Sequence, residues 1–253
     1  LMASCGLEGM VRLGAVADRP SRRLANAVDE MMTLLLATFH WLTQPEHWLG
    51  DEGILLRLGQ HLYYVLVSMA VACAIALPLG IALGYWRKGA FVVINLFNLG
   101  RAIPSLGLIL LCIIVFGFND IPVLAALIAL SIPPILTNTW VGIYHADRPL
   151  CDAAIALGMT PWQSLWQVRI PLAAPLILAG VRTALVQLIA TAVVAAYAGL
   201  GGLGRFLIDG LGQRDIPQVI GGSLVVSLLA IGGELLFARC AGRLVHRRIA
   251  APY

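Results

Sequence analysis

Three glycines in the stretch AYAGLGGLGR, residues 196–205, have the spacing of a phosphate-binding loop. Gly199, Gly201 and Gly204 spell G-x-G-x-x-G, a pattern in which backbone N–H groups hold the phosphates of a dinucleotide. That chemistry requires a β-strand before the glycines and a soluble βαβ unit around them. The elements that surround this stretch therefore decide whether it binds a nucleotide.

Other sequence patterns for catalysis are missing from the chain. Lys88 is the single lysine and precedes Gly89, so it belongs to no Gly-Lys-Ser/Thr phosphate loop. The five histidines and five cysteines are dispersed, and no C-x-x-C, H-E-x-x-H or G-x-S-x-G occurs. We therefore expect no enzyme active site, no metal and no cofactor bound by this chain. A membrane enzyme remains the remotest alternative.

The composition is that of a membrane protein. Hydrophobic residues make up 60% of the 253 residues and charged residues only 12%, whereas soluble domains carry about 25% charged residues. Three runs without Asp, Glu, Lys or Arg are long enough to cross a bilayer, and two shorter runs are weaker candidates. In chain order the five are Leu62–Trp86, Ala102–Asn119, Ile121–Ala146, Thr183–Gly204 and Ile216–Gly233. They predict an all-α polytopic membrane protein with about five transmembrane helices.

The N-terminal part divides differently from the rest. Residues 1–30 show no clear period and are predicted to be a flexible extension, with Met31 or Met32 as alternative natural starts. Residues 31–57 are predicted to be an interfacial amphipathic segment, because the apolar run at 31–43 is too short to span. A sixth span is the alternative. The transmembrane domain then covers residues 58–246, and residues 247–253 form a cytoplasmic tail.

Basic residues predict the orientation in the membrane. Arg87 and Lys88 follow the first span, Arg148 and Arg169 lie between the third and fourth, and four arginines from Arg239 onward follow the last. Because cytoplasmic loops are enriched in Lys and Arg, these segments and the C-terminus are predicted to be cytoplasmic. The net charge of +4 is accordingly interpreted as a topology signal, and no nucleic acid is expected as a partner.

This orientation answers the question raised by the glycines. The stretch follows a membrane helix and lies on the outer side, where no cytosolic nucleotide is available, so we expect a tight turn with positive φ angles. A short helix at about 205–211 should follow. The candidate residues for an outer gate or a contact with a binding protein are Gly199, Gly201, Gly202 and Gly204.

The long cytoplasmic loop, residues 147–175, carries local signals for two short helices. The first is predicted over Cys151–Leu157 and ends at Gly158, which suits a left-handed helix end. Thr160 and Pro161 are good first residues for the second helix. That helix is predicted to place Trp162 and Trp166 on one face and to stop near Pro171.

This loop resembles the "EAA" loop of permeases from binding-protein-dependent ABC importers. That pattern is Glu-Ala-Ala, three residues, Gly, nine residues and Ile-x-Leu-Pro. It is matched with conservative changes by Asp152, Ala153, Ala154, Gly158, Val168, Ile170 and Pro171. The resemblance implies that the first loop helix docks on a separate ATPase subunit. Asp152, Ala153, Ala154, Gly158 and Pro171 are the predicted ATPase-coupling residues.

The resemblance extends over residues 58–246 and is closest to permeases for osmoprotectants such as glycine betaine, choline and carnitine. The similar stretches are LPLGIALG (77–84), RAIPSLGLI (101–109), IPPILTNTWVGI (132–143) and ATAVVAAYAGLGGLGRFLIDGL (190–211). It implies the MetI-like type I fold, a bacterial inner-membrane location, and ATP and Mg bound only by the partner ATPase. An extracytoplasmic binding protein and a second permease copy or close relative are the other implied partners.

Two alternatives to the osmoprotectant importer remain open. One is an ABC permease for amino acids such as methionine, since such permeases share the loop. The other is a secondary transporter driven by an ion gradient. The loop spacing argues against the second alternative, as does the lack of a mid-span Asp or Glu in the first four predicted helices.

Polar side chains in the spans are candidates for the translocation path, because they are costly in a bilayer. The path candidates are Asn138, Trp140, Tyr144, Gln187, Thr191 and Tyr197. Aromatic faces among them would attract a quaternary ammonium ion. The alternative role for each is helix packing. Arg101, Arg182 and Glu234 are candidates for inner ion pairs, either structural or as an inner gate.

Overall fold

The computed structural model describes residues 4–100 and 103–249, which form helices joined by short turns. In chain order the α-helices in that part are α1 (Ser4–Thr43), α2 (Ile54–Trp86), α3 (Ala90–Gly100), α4 (Ser105–Phe116), α5 (Asp120–Tyr144), α6 (Arg148–Ala156), α7 (Pro161–Ser164), α8 (Ile170–Ala192), α9 (Gly204–Gln213) and α10 (Ile216–Ile249). Pro45–His47 and Val193–Ala198 are 3₁₀ turns, and Leu165–Arg169 is π-helical. The described residues contain no β-strand.

Four helical stretches are long and apolar enough to cross a membrane. They are Ile54–Trp86, Asp120–Tyr144, Pro161–Ala198 and Ile216–Arg243. Because a bilayer core about 30 Å thick needs about 20 residues of helix, each has length to spare. The predicted all-α polytopic architecture is therefore confirmed.

The second predicted span differs from its prediction. The predicted span Ala102–Asn119 contains the 12-residue α4, and a separate 11-residue helix, α3, lies before it, with Pro104 between the two helices. Proline disfavours helical backbone in the residue before it, which explains the break. Because α3 shares a buried cluster with Ile132 and Leu136, and α4 shares another with Val123 and Leu127, the two short helices follow successive halves of α5.

The N-terminal segment also differs from its prediction. A single 40-residue helix, α1, runs through the expected boundary between a flexible extension (1–30) and an interfacial segment (31–57). Its many Ala, Leu, Met and Arg residues favour helix, which accounts for the continuity. The helix ends before Gln44, which is extended because Pro45 follows. The interfacial position stays a prediction.

Helix α5 lies at the centre of the molecule, between α2 and α8. Glycines let these helices approach closely. A Cβ on Gly80 or Gly84 of α2 would lie 2.8 Å from Thr139 or 2.7 Å from Ile143 of α5. On α8, Gly180 faces Asn138 at 2.7 Å. Small residues at such crossings allow close van der Waals packing. This packing is a main basis of helix association in membranes, where the hydrophobic effect between helices is absent.

Helix α10 is the most exposed of the four long stretches. It packs against α8, α9 and the end of α1. The ring of Trp41, at the end of α1, lies over Gly221 and makes an edge contact with Phe206 of α9, with ring centroids 5.6 Å apart. This small cluster fixes the end of α1 against α9 and the first turns of α10.

Candidate functional site

The first loop helix, α6, begins with a side-chain cap and has two distinct faces. The Asp147 carboxylate accepts a hydrogen bond from the Leu150 N–H at 3.4 Å. Cys151 and Ala154 are buried against the following segment, whereas Asp152 and Ala153 are exposed. The predicted coupling residues of α6 therefore lie on two faces of the helix. Ala154 packs within the loop, and Asp152 and Ala153 are exposed at its surface.

Gly158 ends α6 in left-handed backbone, with φ of +96°. The Gly158 N–H donates to Ile155 O at 2.9 Å, and the Met159 N–H donates to Ala154 O at 3.1 Å. This pair of bonds is a Schellman motif, which satisfies carbonyls that a helix end leaves free. The predicted left-handed end is confirmed. No other atom lies within 4 Å of where a Gly158 Cβ would be, so the reversal projects away from the rest of the chain.

The second loop helix begins with a reciprocal cap at Thr160. Its hydroxyl accepts from the Gln163 N–H at 3.3 Å, and the Gln163 carboxamide accepts from the Thr160 N–H at 2.8 Å. The predicted helix start is confirmed, and this capping box adds to it. Trp162 and Trp166 are both exposed and their rings lie 5.6 Å apart, as predicted for residues on one face.

The predicted stop near Pro171 is wrong. From Leu165 to Arg169 the backbone is π-helical, with the Ile170 N–H bonded to Leu165 O, and it continues into α8 without a break. Proline removes a backbone donor and crowds the carbonyl four residues before it. A widened turn before Pro171 accommodates both effects. The hydrogen bonds change from the α to the π pattern there, and the helix continues. The second loop helix and the α8 span consequently form one continuous helical stretch, Pro161–Ala198.

One arginine–aromatic contact joins the loop to α2, and a second joins the ends of α2 and α5. The Arg169 guanidinium lies 5.3 Å from the ring centre of Tyr85, at the end of α2. The Arg87 guanidinium lies 4.6 Å from the ring centre of Tyr144, and it donates to the Tyr144 carbonyl at 2.9 Å. Sequence reasoning missed these roles, because it used Arg87 and Arg169 only as topology signals.

The path candidates lie at several places on α5, α8 and the turn that follows α8. Asn138 faces α8 across Gly180 and donates to Pro134 O at 2.8 Å. Trp140 packs with the cluster that joins α2 to α5, and its ring centre lies 5.4 Å from that of Tyr144 in a tilted arrangement, with Arg87 over the Tyr144 ring. The remaining three follow α8 and the turn after it: Gln187 and Thr191 are half-buried, and Tyr197 is exposed. Their role as a path stays a prediction.

The four outer-loop glycines have different reasons to be glycine. Gly199 and Gly202 adopt positive φ, of +75° and +95°. A Cβ on Gly201 would collide with the Gln60 carboxamide, and one on Gly204 would collide with the Val193 carbonyl. Gly202 and Gly204 are buried, whereas Gly199 is exposed. The buried pair shapes the loop, and Gly199 is the one most open to an outside partner.

Two residues of α2 that sequence reasoning missed, Gln60 and His61, contact this loop. Gln60 accepts a hydrogen bond from the Gly202 N–H at 2.9 Å. His61 is fully buried, and its Nε2 lies 3.1 Å from the Ile189 carbonyl, so we assign Nε2 as the protonated nitrogen. In a regular α-helix the Val193 N–H would bond the Ile189 carbonyl. Here α8 passes into a 3₁₀ turn and the Val193 N–H bonds Thr191 O, so His61 supplies a donor to the Ile189 carbonyl.

Arg182 and Glu234 form an ion pair between α8 and α10. Arg101, the third candidate for an inner ion pair, lies outside the described residues. Within the described part of the chain, no group of three His, Cys, Asp or Glu side chains is arranged to hold a metal ion.

Comparison with known proteins assigns the chain to a family. Residues 76–250 match the binding-protein-dependent transport system inner membrane component family. The chain belongs to this family.

Curated relatives of this chain are named as permease proteins. The chain is 38% identical over 182 residues to the glycine betaine/carnitine/choline transport system permease protein OpuCB of Bacillus subtilis, covering 72% of this chain and 83% of that protein. It is 35% identical over 217 residues to the osmoprotectant import permease protein OsmY of Salmonella typhimurium, covering 85% and 92%. These relatives support a permease subunit of an ABC importer.

Solved structures of related fold come from ABC transporters. The chain superposes on a chain of the inward-facing MetNI methionine ABC transporter with a TM-score of 0.65 and 22% identity, covering 81% of this chain and 99% of that one. At that identity the likeness shows the fold, which is the predicted MetI-like fold. Family membership also argues against the secondary-transporter alternative, and it marks a multi-pass membrane protein.

Proposed function

We propose that this chain is the permease subunit of an ATP-driven importer for osmoprotectants of the quaternary amine class. Two copies, or one copy and a close relative, enclose the translocation path. A binding protein delivers the substrate outside, and two ATPase subunits, which carry ATP and Mg, bind inside. The permease itself holds no nucleotide, so the outer glycines form a turn and not a phosphate site.

The geometry of the α6 reversal is the observation that carries the coupling role. Asp152, Ala153 and the highly exposed Leu157 project from a helix whose opposite side is buried by its own loop. The second loop helix runs without a break into α8, and Arg169 contacts Tyr85 of α2. A displacement of α6 by a closing ATPase would reach these two spans through the contacts of α6 with the second loop helix, where Cys151 and Ala154 are buried.

The substrate class is supported by the relatives. Several that are 34–38% identical to this chain carry names of choline, carnitine or osmoprotectant permeases. The methionine alternative has support from the fold comparison, where identity is 22%. Sequence identity in the thirties over most of both chains favours the osmoprotectant class.

The proposed orientation places α6 and the C-terminus in the cytoplasm. Arg87 and Lys88 at the end of α2, Arg148 of α6, and Arg239 and Arg243 of α10 would then face inside, as the basic-residue rule requires. The segment before α2 and the loop before α9 would face outside. In this orientation α3 and α4 together cross the membrane once, from the inside to the outside.

Reconstitution of the complete importer tests the proposal. The permease, its ATPase and its binding protein are placed in proteoliposomes, and ATP-dependent uptake of glycine betaine, choline, carnitine and methionine is measured. We expect uptake of one or more quaternary amines and none of methionine. Uptake of methionine alone would overturn the substrate class, and ATP-independent uptake driven by an ion gradient would overturn the mechanism.

A pair of variants tests the coupling face. Ala153→Phe adds an aromatic ring to the exposed side of α6, and Gln167→Phe adds the same ring at another exposed position of the loop. We expect Ala153→Phe to reduce ATPase co-purification and uptake strongly, while Gln167→Phe leaves both near the wild-type level. Equal effects of the two variants would show that α6 is not the docking face.

A further inference from the structure

The Arg182–Glu234 ion pair lies in an unusual position for charged groups. Arg182 is near the middle of α8 and Glu234 is near the middle of α10, in apolar stretches that qualify as membrane spans. Apart from Asp120, the first residue of α5, Glu234 is the one carboxylate in the four described spans. Ionisable residues at such depth are costly in lipid and usually serve a function.

The exposure of the pair indicates what covers this face. The side chains of Arg182 and Glu234 leave 49% and 39% of their surface accessible. Half-exposed charges in contact with lipid tails would lose their hydration without full compensation. We therefore infer that this face of α8 and α10 borders an aqueous space inside the assembled transporter, and not the lipid.

A cavity of about 330 Å³ opens beside Arg182, between α8 and α10. Its wall contains the ring of Phe237 and the small residues Ala179, Ala238 and Ala241, which leave space free. Glu234 stands three residues before Phe237 and four before Ala238, so all three occupy one side of α10. The cavity is thus lined by a cationic and an aromatic residue, and the carboxylate that pairs with Arg182 belongs to the neighbouring Glu234.

We propose that this cavity is a transient binding site for the zwitterion of a carboxylated quaternary amine, which rests on the function proposed above. The ligand carboxylate pairs with Arg182 in a charge-assisted contact. Its quaternary ammonium lies between Glu234 and the face of Phe237, which attracts such ions. The internal ion pair is exchanged for two pairs with the ligand, so no charge is left uncompensated.

The exchange makes the site selective by charge type. A zwitterion such as glycine betaine or carnitine satisfies both Arg182 and Glu234 after the internal pair opens. Choline, a cation without a carboxylate, satisfies Glu234 and leaves Arg182 without a partner, which is unfavourable in a partly dehydrated space. The wild-type site should therefore favour zwitterions over choline.

Arg182→Gln is the decisive variant, measured as the ratio of glycine betaine to choline uptake. Rates are taken in proteoliposomes containing the permease, the ATPase and saturating amounts of each loaded binding protein, so that the selectivity of the binding protein does not contribute. Loss of one charge-assisted contact should lower glycine betaine uptake roughly tenfold. Choline uptake should fall much less, because Glu234 is then released from its internal partner. Arg182→Lys keeps the charge and should keep the wild-type ratio.

Each result separates this inference from the alternatives. An unchanged ratio in Arg182→Gln, with both rates reduced alike, would show that the pair only fixes helix packing. If Arg182→Gln does not assemble, Phe237→Leu, which keeps the ion pair, decides. It should lower uptake of both amines several-fold while Phe237→Tyr retains it, and wild-type rates in Phe237→Leu would overturn the site. Failure of the wild-type importer to transport any quaternary amine would instead refute the proposed function.

Discussion

The side-chain oxygen of Gln60 accepts a hydrogen bond from the backbone N–H of Gly202 at 2.9 Å, across 142 positions of sequence. This contact joins the second turn of α2 to the outer loop that precedes α9. The neighbouring Gly201 lies so close to the Gln60 carboxamide that a Cβ would collide with it. The Gln60 side chain therefore binds the outer loop at Gly202 and requires a residue without a Cβ at position 201, while the positive φ of Gly202 favours glycine there.

A double-mutant cycle at Gln60 and Gly201 should show strong non-additivity. Gln60→Ala removes the hydrogen bond, at a cost of about 1 kcal/mol in the free energy of unfolding. Gly201→Ala should cost a similar amount, because it displaces Gln60. Once Gln60 is alanine, the second substitution should cost little. The measurement is the thermal unfolding of the purified protein in detergent, and additive losses would refute the contact.

Gly202→Val should reduce uptake more than Gly199→Val. Both positions have positive φ, so both variants carry backbone strain of about 1–3 kcal/mol. Gly202 in addition packs against His61, whose Nδ1 would lie 3.6 Å from the new Cβ, whereas Gly199 has open space around it. Uptake with loaded binding protein is measured for both, with ATPase co-purification as the control. Normal uptake by Gly202→Val would exclude a role for the loop conformation.

Gly158→Leu should uncouple the transporter without disturbing the membrane core. The substitution adds left-handed strain of roughly 1–2 kcal/mol at the end of α6. It also places a side chain at a reversal that no other part of the chain covers. We expect normal insertion and dimerisation with weaker ATPase association or lost stimulation of ATP hydrolysis by loaded binding protein. Gly158→Asn, which tolerates left-handed backbone, should retain more coupling. Wild-type coupling in the leucine variant would remove the main support for this loop as the coupling element.

Cysteine labelling tests the orientation. On a cysteine-free background, Gln213→Cys at the end of α9 should react with a membrane-impermeant reagent added to intact cells, because that segment is predicted to lie outside. Arg148→Cys in α6 should react only after permeabilisation. Both native side chains are exposed, so access within the folded chain is matched. Labelling of Arg148→Cys in sealed cells would reverse the topology.

Replacement of Tyr144 distinguishes a path role from a structural one. Its ring lies under the Arg87 guanidinium, so Tyr144→Phe should keep the contact and Tyr144→Leu should lose about 0.5–1 kcal/mol of stability. Thermal unfolding and uptake are measured for both variants. If Tyr144 instead contacts the substrate through its hydroxyl, the phenylalanine variant will already show impaired uptake at unchanged stability.

The sequence by itself determined the features that depend on local chemistry. The apolar runs identified the four long membrane-spanning stretches, because each segment must by itself supply about 20 apolar residues. Gly158, Thr160 and Pro161 predicted a left-handed helix end and a new helix start, and both are present. Such signals work because their hydrogen bonds join residues within a few positions of one another.

Tertiary structure decided where segments bend, break and meet. Pro104 separates α3 from α4, which pack on separate halves of α5, whereas the turn before Pro171 widens and the helix continues. A proline forbids the regular pattern in both places, but the packing around it selects between a break and a bulge. The contacts of Gln60 with Gly202 and of Arg182 with Glu234 join residues that are 142 and 52 positions apart. No local pattern encodes such pairs, because the free energy that selects them comes from the packing of whole helices.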